Sequence, residues 1–425
     1  MIIEFQYVTD KPKHDCLSIA FNQNDTYVHV KDKAINAFEK GPRKNMHIEV
    51  MRVTSLTTKY MIVHLLTKYL YTFDKYKTNN SSRKKYTFYV HDKENMGKHY
   101  TEIFDLIHTN FMIRDIANEP ANIMTPMTLA NAFKRLFKGI PNVKMELVDD
   151  KHLQKQGFNL IHAVGKASKN KPVMVKITYS HPKSTKTFAL IGKGVTFDAG
   201  GLNIKTGNRS GFEMKGDKTG ACVAAGITYY LAKKKVPCKI VCILPLVENI
   251  ISSDVLHAGD IVQCYNGKTI EILNTDAEGR LIMADAIAYS AIFKPNYILD
   301  FATLTGWAQN LHCDTSAIFF TANKKLHNII TDLGEDYGDR VWGMPRWLEY
   351  MKYTKSSIAD YKNSDMTIHG CNAGSGFMAA MFLANFIPKS TLQSWVHFDI
   401  GNNIHNHILN TNSMILGIQL IKKLI

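Results

Sequence analysis

The spacing of hydrophobic positions changes along the chain. Before about residue 95, short apolar runs alternate with polar stretches. Thr26–Val30, His47–Met51 and Tyr86–Val90 read as strands and Met61–Leu70 as a helix, with a turn at Asn79-Asn-Ser-Ser82, the pattern of a small α/β unit. Ile103, Leu106, Ile107, Phe111 and Ile113 then recur at helical spacing, which predicts a helix over residues 98–116. The proline in Asn118-Glu-Pro-Ala-Asn122 favours a break just after it. Beyond that point the order strand, loop, helix repeats. Strands are expected at Val173–Tyr179, Thr187–Ile191, Lys239–Leu246, Tyr297–Phe301 and Trp395–Ile400, and helices at Thr219–Lys233, Gly279–Ile292 and Gly376–Phe386. Near-continuous apolar strands alternating with helices argue for an α/β fold, a mostly parallel central sheet covered by helices on both faces. The expected organisation is a small N-terminal α/β domain at residues 1–97, a linking helix at 98–116 and a larger C-terminal domain at 117–425.

A length of 425 residues suits roughly two to three domains. No apolar run approaches the roughly 18 residues that span a bilayer, and Met1-Ile-Ile-Glu-Phe opens without a basic, signal-like stretch, so a cytoplasmic protein with no membrane partner is expected. The seven cysteines are odd in number and widely spaced, without a CxxC pair, and read as reduced core residues. The formal charge of +15 raises the question of nucleic acid. Its lysines and arginines are dispersed, however. Clusters such as Arg83-Lys84-Lys85 and Lys233-Lys234-Lys235 are short, and no base-stacking aromatic motif accompanies them, so a solvated surface is the better reading.

Candidate chemistry concentrates in the loops that follow the predicted strands, where ligands bind in sheets of this kind. Lys193, Glu248 and Ala302-Thr-Leu-Thr-Gly306 all fall at such strand ends. Asn274-Thr-Asp276-Ala-Glu278-Gly-Arg280-Leu281 carries two carboxylates beside an arginine. Upstream, Ile191-Gly-Lys193-Gly-Val-Thr-Phe-Asp198-Ala-Gly-Gly201 is followed by Lys205 and Asp217. Taken singly, Asp276 and Asp217 could each cap a helix. Capping does not explain why every such loop brings acids together with Lys193, Lys205 and Arg280. Oxygen ligands at this density suit Mg²⁺, Mn²⁺ or Zn²⁺, and a pair of cations sharing carboxylates can polarise a carbonyl. Rival motifs fail: Gly267-Lys268-Thr269 lacks the glycine of a P-loop, since Val262 stands there, and neither HExxH nor GxSxG occurs. His397 has no partner motif and reads as a hydrogen-bonded core residue rather than a catalyst.

These residues resemble the leucyl, or cytosol, aminopeptidases, a family of dinuclear metallo-exopeptidases. The stretch 274–281 matches the family signature in full, and residues 191–201 match a second block except that Ala199 stands for serine. Arg114–Asn122, Val247–Asn249, Ala302–Gly306, Ile358–Asn363 and Trp395–Ile400 look like further family blocks in the family's order, so the resemblance covers roughly residues 110 to 410.

The resemblance implies a two-metal aminopeptidase that releases N-terminal, preferably Leu-like residues from peptides, with a metal-bridging water as nucleophile. One ion would be held by Asp198, Asp276 and Glu278, the other by Lys193, Asp198, Asp217 and Glu278. It also implies catalytic roles for Lys205, on the scissile carbonyl, and for Arg280, which would hold a bicarbonate acting as general base. The ions would be Zn²⁺ or Mn²⁺, with Co²⁺ or Mg²⁺ as substitutes. Met214, Thr303, Gly306, Gly401 and Ile404 would line the side-chain pocket, where Gly401 replaces a family alanine and is expected to deepen it. A homo-hexamer is implied as well, although the amino-terminal domain is shorter than the family's usual one. The alternatives are a nucleic-acid-binding protein on this fold and another dinuclear amidohydrolase.

Overall fold

The computed structural model describes residues 2–8, 17–22, 29–30, 32–33, 36, 45–52, 56–78, 85–91, 97–206, 210–312, 315–345, 347–365, 374–401, 404–405 and 408–425. The chain divides into two compact units, Met1–Met112 with Asp332–Arg340, and Ile113–Thr331 with Val341–Ile425. Among the described residues no helix is long and apolar enough to cross a membrane.

The first unit holds a parallel sheet of β1 (Ile2–Val8), β2 (Leu17–Asn22), β3 (Asn45–Arg52) and β4 (Lys85–His91) in the order β1-β4-β3-β2, with a helix at Leu56–Leu70. β3 and β4 are the strands expected at His47–Met51 and Tyr86–Val90. Of the strand expected at Thr26–Val30, His29 and Val30 are helical instead, and Thr26, Tyr27 and Val28 lie outside the described residues. Asp32, Lys33 and Asn36 are helical as well, so the helix outweighs an alternation only five residues long. The turn at Asn79–Ser82 lies outside the described residues. The helix expected at 98–116 is present as Gly97–Asn118.

The second unit is built on a mixed sheet. Its strands are β5 (Val143–Asp149), β6 (Val173–Ser180), β7 (Thr187–Gly192), β8 (Gly194–Asp198), β9 (Lys239–Asn249), β12 (Tyr297–Ala302), β13 (Ala317–Phe320), β14 (Val341–Met344) and β16 (Trp395–Asp399). They follow the order β14-β13-β16-β12-β7-β9-β6-β5, with β8 beside β9. The central run β16-β12-β7-β9 is parallel, and antiparallel pairs flank it at β13–β16, β9–β6 and β6–β5. A small sheet joins β10 (Ile261–Gln263), β11 (Thr269–Glu271) and β15 (Tyr361–Lys362), and a hairpin joins β17 (Ile404–His405) to β18 (Ile408–Leu409).

Alternation along the parallel strands puts apolar side chains on both faces, which is why those strands read as unbroken hydrophobic runs. Ala189, Ile191, Val241, Ile243 and Ile298 pack in one core with Leu281–Met283 and Ile287 of the Glu278–Ser290 helix and with Phe382 of the Gly374–Ala384 helix. The Thr219–Lys233 helix packs on β7, β9 and β12 and against the Met414–Leu424 helix. Burial of everything from Thr219 to Ala232 accounts for its run of small and apolar residues. Cys222, Cys238, Cys242 and Cys264 are buried free thiols, as expected of core cysteines.

Candidate metal centre

Four segments converge at the carboxyl ends of the parallel strands. Lys193 sits between β7 and β8, with its backbone N–H on Phe301 O (3.0 Å) and its carbonyl accepting from Ala221 N (2.7 Å). Asp198 ends β8. Asp217 lies in the tight turn Met214–Lys218 that leads into the Thr219–Lys233 helix, and Glu278 is the first residue of its own helix. Neither aspartate is used as a cap, since Lys218 and Ala277 occupy the N-cap positions without a side-chain bond. The capping alternative is therefore set aside.

The buried Lys193 ammonium lies 2.9 Å from Asp217 Oδ1 and 2.9 Å from Glu278 Oε1, and it donates to Thr303 O at 2.9 Å. Lys205 bridges the other side, 2.9 Å from Asp198 Oδ2 and 2.5 Å from Asp276 Oδ1. Burial works against both ammonium groups. The surrounding carboxylates outweigh it, Asp217 and Glu278 foremost at Lys193 and Asp198 at Lys205, and hold both pKa values above the usual lysine range. The acids show the opposite strain. Burial and the neighbouring carboxylates push Asp217 well above the ordinary aspartate value, and they raise Asp276 to about 6.

This excess of negative charge decides whether divalent cations fit. Asp198, Asp217 and Glu278 each offer an oxygen within 4.8 Å of the others. Asp217 Oδ2 and Glu278 Oε2 are buried with no hydrogen-bond partner among the described residues. Buried acceptors without donors are uncommon in folded proteins, and carboxylate oxygens are hard ligands, so the group fits a divalent metal ion. Arg280 has burial as the main influence on its pKa, which falls to about 10 and leaves it charged at neutral pH. Its Nη1 donates to Asn363 O at 2.7 Å, while the buried Nε has no partner among the described residues, a donor open to an anion.

Lys193, Asp198, Lys205, Asp217, Asp276 and Glu278 line one cavity, and Met214, Thr303, Gly306 and Gly401 line the same cavity. Arg280 is buried and is not among the residues that line it. Ile404 lies in β17, but its side chain lies outside the described residues. Glu248 is not part of the cluster. It lies within β9 and is tied off by Ser168 Oγ (2.5 Å) and Asn170 Nδ2 (3.0 Å).

Two glycines are dictated by the site. A Cβ at Gly279 would stand 2.5 Å from Lys193 Cε, so the lysine crosses the helix where no side chain can be. A Cβ at Gly401 would stand 2.2 Å from Thr305 O, so a larger residue there would displace backbone before it filled the pocket.

Asn249 and Asn363 belong to sequence blocks that carry no chemistry by themselves. Asn249 Nδ2 donates to Asp198 Oδ1 (2.9 Å) and Thr275 O (3.1 Å). Asn363 accepts from the N–H groups of Leu273 and Asn274 and donates to Asn274 O (2.7 Å), clamping the loop that carries Asp276. Asn249 was within reach as a signal, being a buried amide at the carboxyl end of an apolar strand. Glu213 and Gln309 also line the cavity and carry no motif of their own.

An α/β sheet with a buried, donor-poor carboxylate cluster and two lysines at its strand ends defines a class of α/β proteins with a candidate divalent-metal site. Comparison with known proteins narrows it. The catalytic domain of the cytosol aminopeptidase family is matched over residues 111–418. A probable cytosol aminopeptidase of Syntrophotalea carbinolica is 38% identical over 295 residues, 69% of this chain and 57% of that protein. Probable cytosol aminopeptidase 1 of Shewanella oneidensis is 34% identical over 334 residues, 78% of this chain and 65% of that protein. One from Buchnera aphidicola is 35% identical over 363 residues, 82% of this chain and 71% of that protein. The chain spans less than two thirds of the length of the first two of these relatives. It belongs to the cytosol aminopeptidase family.

Proposed function

We propose that this chain is a two-metal aminopeptidase that releases N-terminal, preferably apolar residues from peptides with an unblocked amino end. The observation that carries the reading is the cavity itself, where Asp198, Asp217 and Glu278 meet both lysines with two carboxylate oxygens left without donors. Asp198, Asp276 and Glu278 would hold one ion, and Lys193, Asp198, Asp217 and Glu278 the other. Zn²⁺ and Mn²⁺ are the first candidates. For Lys193 to serve as a ligand its ammonium must lose a proton, which a neighbouring cation favours. The chemistry supplied by two bound cations is polarisation of the carbonyl and a lowered pKa of water, and that of a bicarbonate held at Arg280 is acceptance of a proton.

The chain's own residues set the rest. Lys205, held charged on the cavity wall, would donate to the scissile carbonyl oxygen and to the charge that develops there, an interaction worth roughly 10² to 10³ in rate. Asp217 Oδ2 would accept from the substrate's free amine, which is why a blocked terminus would not be cut. Met214, Thr303, Gly306 and Gly401 would border the leaving residue's side chain, with Ile404 as a further wall. The reading brings with it residues 117–425 as the catalytic domain, a homo-oligomer, a hexamer by family resemblance, and a cytoplasmic location.

The test is hydrolysis of leucine amide by chelator-stripped protein before and after addition of Zn²⁺, Mn²⁺, Co²⁺ or Mg²⁺, with N-acetyl-leucine amide as control. Turnover that returns with metal and spares the blocked substrate is the expected result. No turnover with any metal in folded protein would refute the reading, and cleavage of the blocked amide would favour another amidohydrolase.

A further inference from the structure

The loop Thr303–Gly306 leaves the sheet where β12 ends. Pairing of β12 with β16 stops at Ala302 opposite Asp399, and one more bond, Ile400 N–H to Ala302 O (2.8 Å), closes it. From there the loop's backbone donors have no strand partner, and the buried Asp399 carboxylate takes them. Its Oδ1 accepts from Leu304 N (3.2 Å), Thr305 N (3.4 Å) and Gly401 N (3.1 Å), and its Oδ2 accepts from Thr305 Oγ1 (2.5 Å). One side chain thus binds both the loop and Gly401, which are adjoining parts of the cavity wall. Their spacing is at its limit, since a Cβ at Gly401 would meet Thr305 O at 2.2 Å.

The other end of the loop reaches the ionised cluster. Thr303 O accepts from Lys193 Nζ (2.9 Å), and Thr303 Oγ1 donates to Asp217 Oδ1 (2.7 Å). The loop is therefore a short strut between Asp399 and two of the proposed ligands. We infer that Asp399 is a positioning residue, which holds together the part of the side-chain pocket's wall where the loop meets Gly401 and, through Thr303, holds Lys193 and Asp217 for the metal. The inference rests on the aminopeptidase reading for the pocket but not for the metal. Outer hydrogen-bond partners of ligands commonly change metal affinity by about 10- to 100-fold, and an apolar pocket distinguishes neighbouring side chains only while its walls are held.

The experiment uses the full chain with Asp399→Ala, Asp399→Asn and Thr305→Val. Three quantities are measured: the ratio of kcat/KM for leucine over alanine p-nitroanilide, Zn²⁺ affinity by competition with a chromophoric chelator, and thermal melting. Asp399→Ala is expected to cut the leucine preference and the Zn²⁺ affinity each by about 10-fold or more. Thr305→Val should move both in the same direction by less, because Asp399 keeps its backbone donors. Asp399→Asn keeps an acceptor for those donors and should restore most of each.

An Asp399→Ala protein with lower melting temperature but unchanged preference and Zn²⁺ affinity would overturn the inference, leaving Asp399 a merely structural residue. If Asp399→Ala does not fold, unchanged preference and Zn²⁺ affinity in Thr305→Val would overturn it equally. If wild-type protein cleaves neither anilide, the aminopeptidase reading fails and the Zn²⁺ affinities alone decide for or against Asp399.

Discussion

One helix carries two fully buried carboxylates that meet burial in opposite ways. Glu278 opens the Glu278–Ser290 helix, and Asp285 lies two turns further on. Asp285 is saturated. Its Oδ2 accepts from Leu160 N (2.9 Å) and Ile161 N (3.1 Å), and its Oδ1 from Tyr265 N (2.8 Å), so it pins two segments of backbone to the helix. Glu278 instead has an oxygen with no donor among the described residues and sits beside Asp217, whose pKa its charge helps to raise. The helix and the burial are shared, and satisfaction is what differs. Burial of a charged group does not mark a functional site, whereas an unsatisfied acceptor next to like charge does.

The comparison predicts opposite phenotypes. Glu278→Ala should abolish hydrolysis of leucine amide and leave the fold intact, because it removes repulsion along with one partner of Lys193. Asp285→Ala should leave three backbone donors unsatisfied at about 1–3 kcal/mol each and so destabilise by at least about 3 kcal/mol. Urea unfolding and steady-state rates on both variants give the answer. Full activity in Glu278→Ala would break the comparison at its functional end.

The same contrast explains what could be read from the sequence. The central strands and the helices at Thr219–Lys233 and Gly374–Ala384 announced themselves by unbroken or periodic apolar runs. The acids and lysines of the centre were visible because charge at the end of an apolar strand is locally anomalous. Asp285 was not, since one aspartate inside a helical pattern looks like a solvent-facing residue until Leu160, Ile161 and Tyr265 are brought to it across more than a hundred positions in the first two cases. Asp399 was quoted only as part of a block, because its partners are backbone N–H groups, which every residue but proline has. The return of Asp332–Arg340 to the first unit likewise has no local signal. The strand misread at Thr26–Val30 shows the limit of alternation over one short run.

Acidity sharpens the structural end. Burial is the largest influence on Asp285 and pushes its carboxyl up to about 7, while the N–H groups of Tyr265, Ile161 and Leu160 and the Cys264 thiol pull it down. A folded pKa above the unfolded value of 3.8 means that ionisation is disfavoured by the fold. The associated stability is fully present below about pH 4, is lost as pH rises to about 7, and is level beyond, the change being worth about 1.4 kcal/mol per unit. Unfolding followed in urea across that range should show a steeper decline in wild type than in Asp285→Asn, which keeps only the share due to other raised acids such as Asp217 and Asp276. Equal slopes in the two proteins would remove Asp285 as its source.

The smallest effect is expected one contact further out. Cys264 is buried against Asp285 and hydrogen-bonded to it, and its thiol is itself held above the ordinary value, first by burial and then by that carboxylate. Cys264→Ala should cost about 1 kcal/mol, the typical net worth of one buried hydrogen bond. It should also move the upper end of the pH window upward, since one of the groups lowering the Asp285 pKa is gone. Turnover of leucine amide should not change, because among the described residues Cys264 neither lines the cavity nor hydrogen-bonds to the Asn274–Glu278 loop. If Cys264→Ala slowed hydrolysis while Asp285 kept its pH window, the two ends of the helix would be coupled through backbone rather than insulated. Satisfaction of hydrogen bonds would then not suffice to separate the structural carboxylate from the functional one.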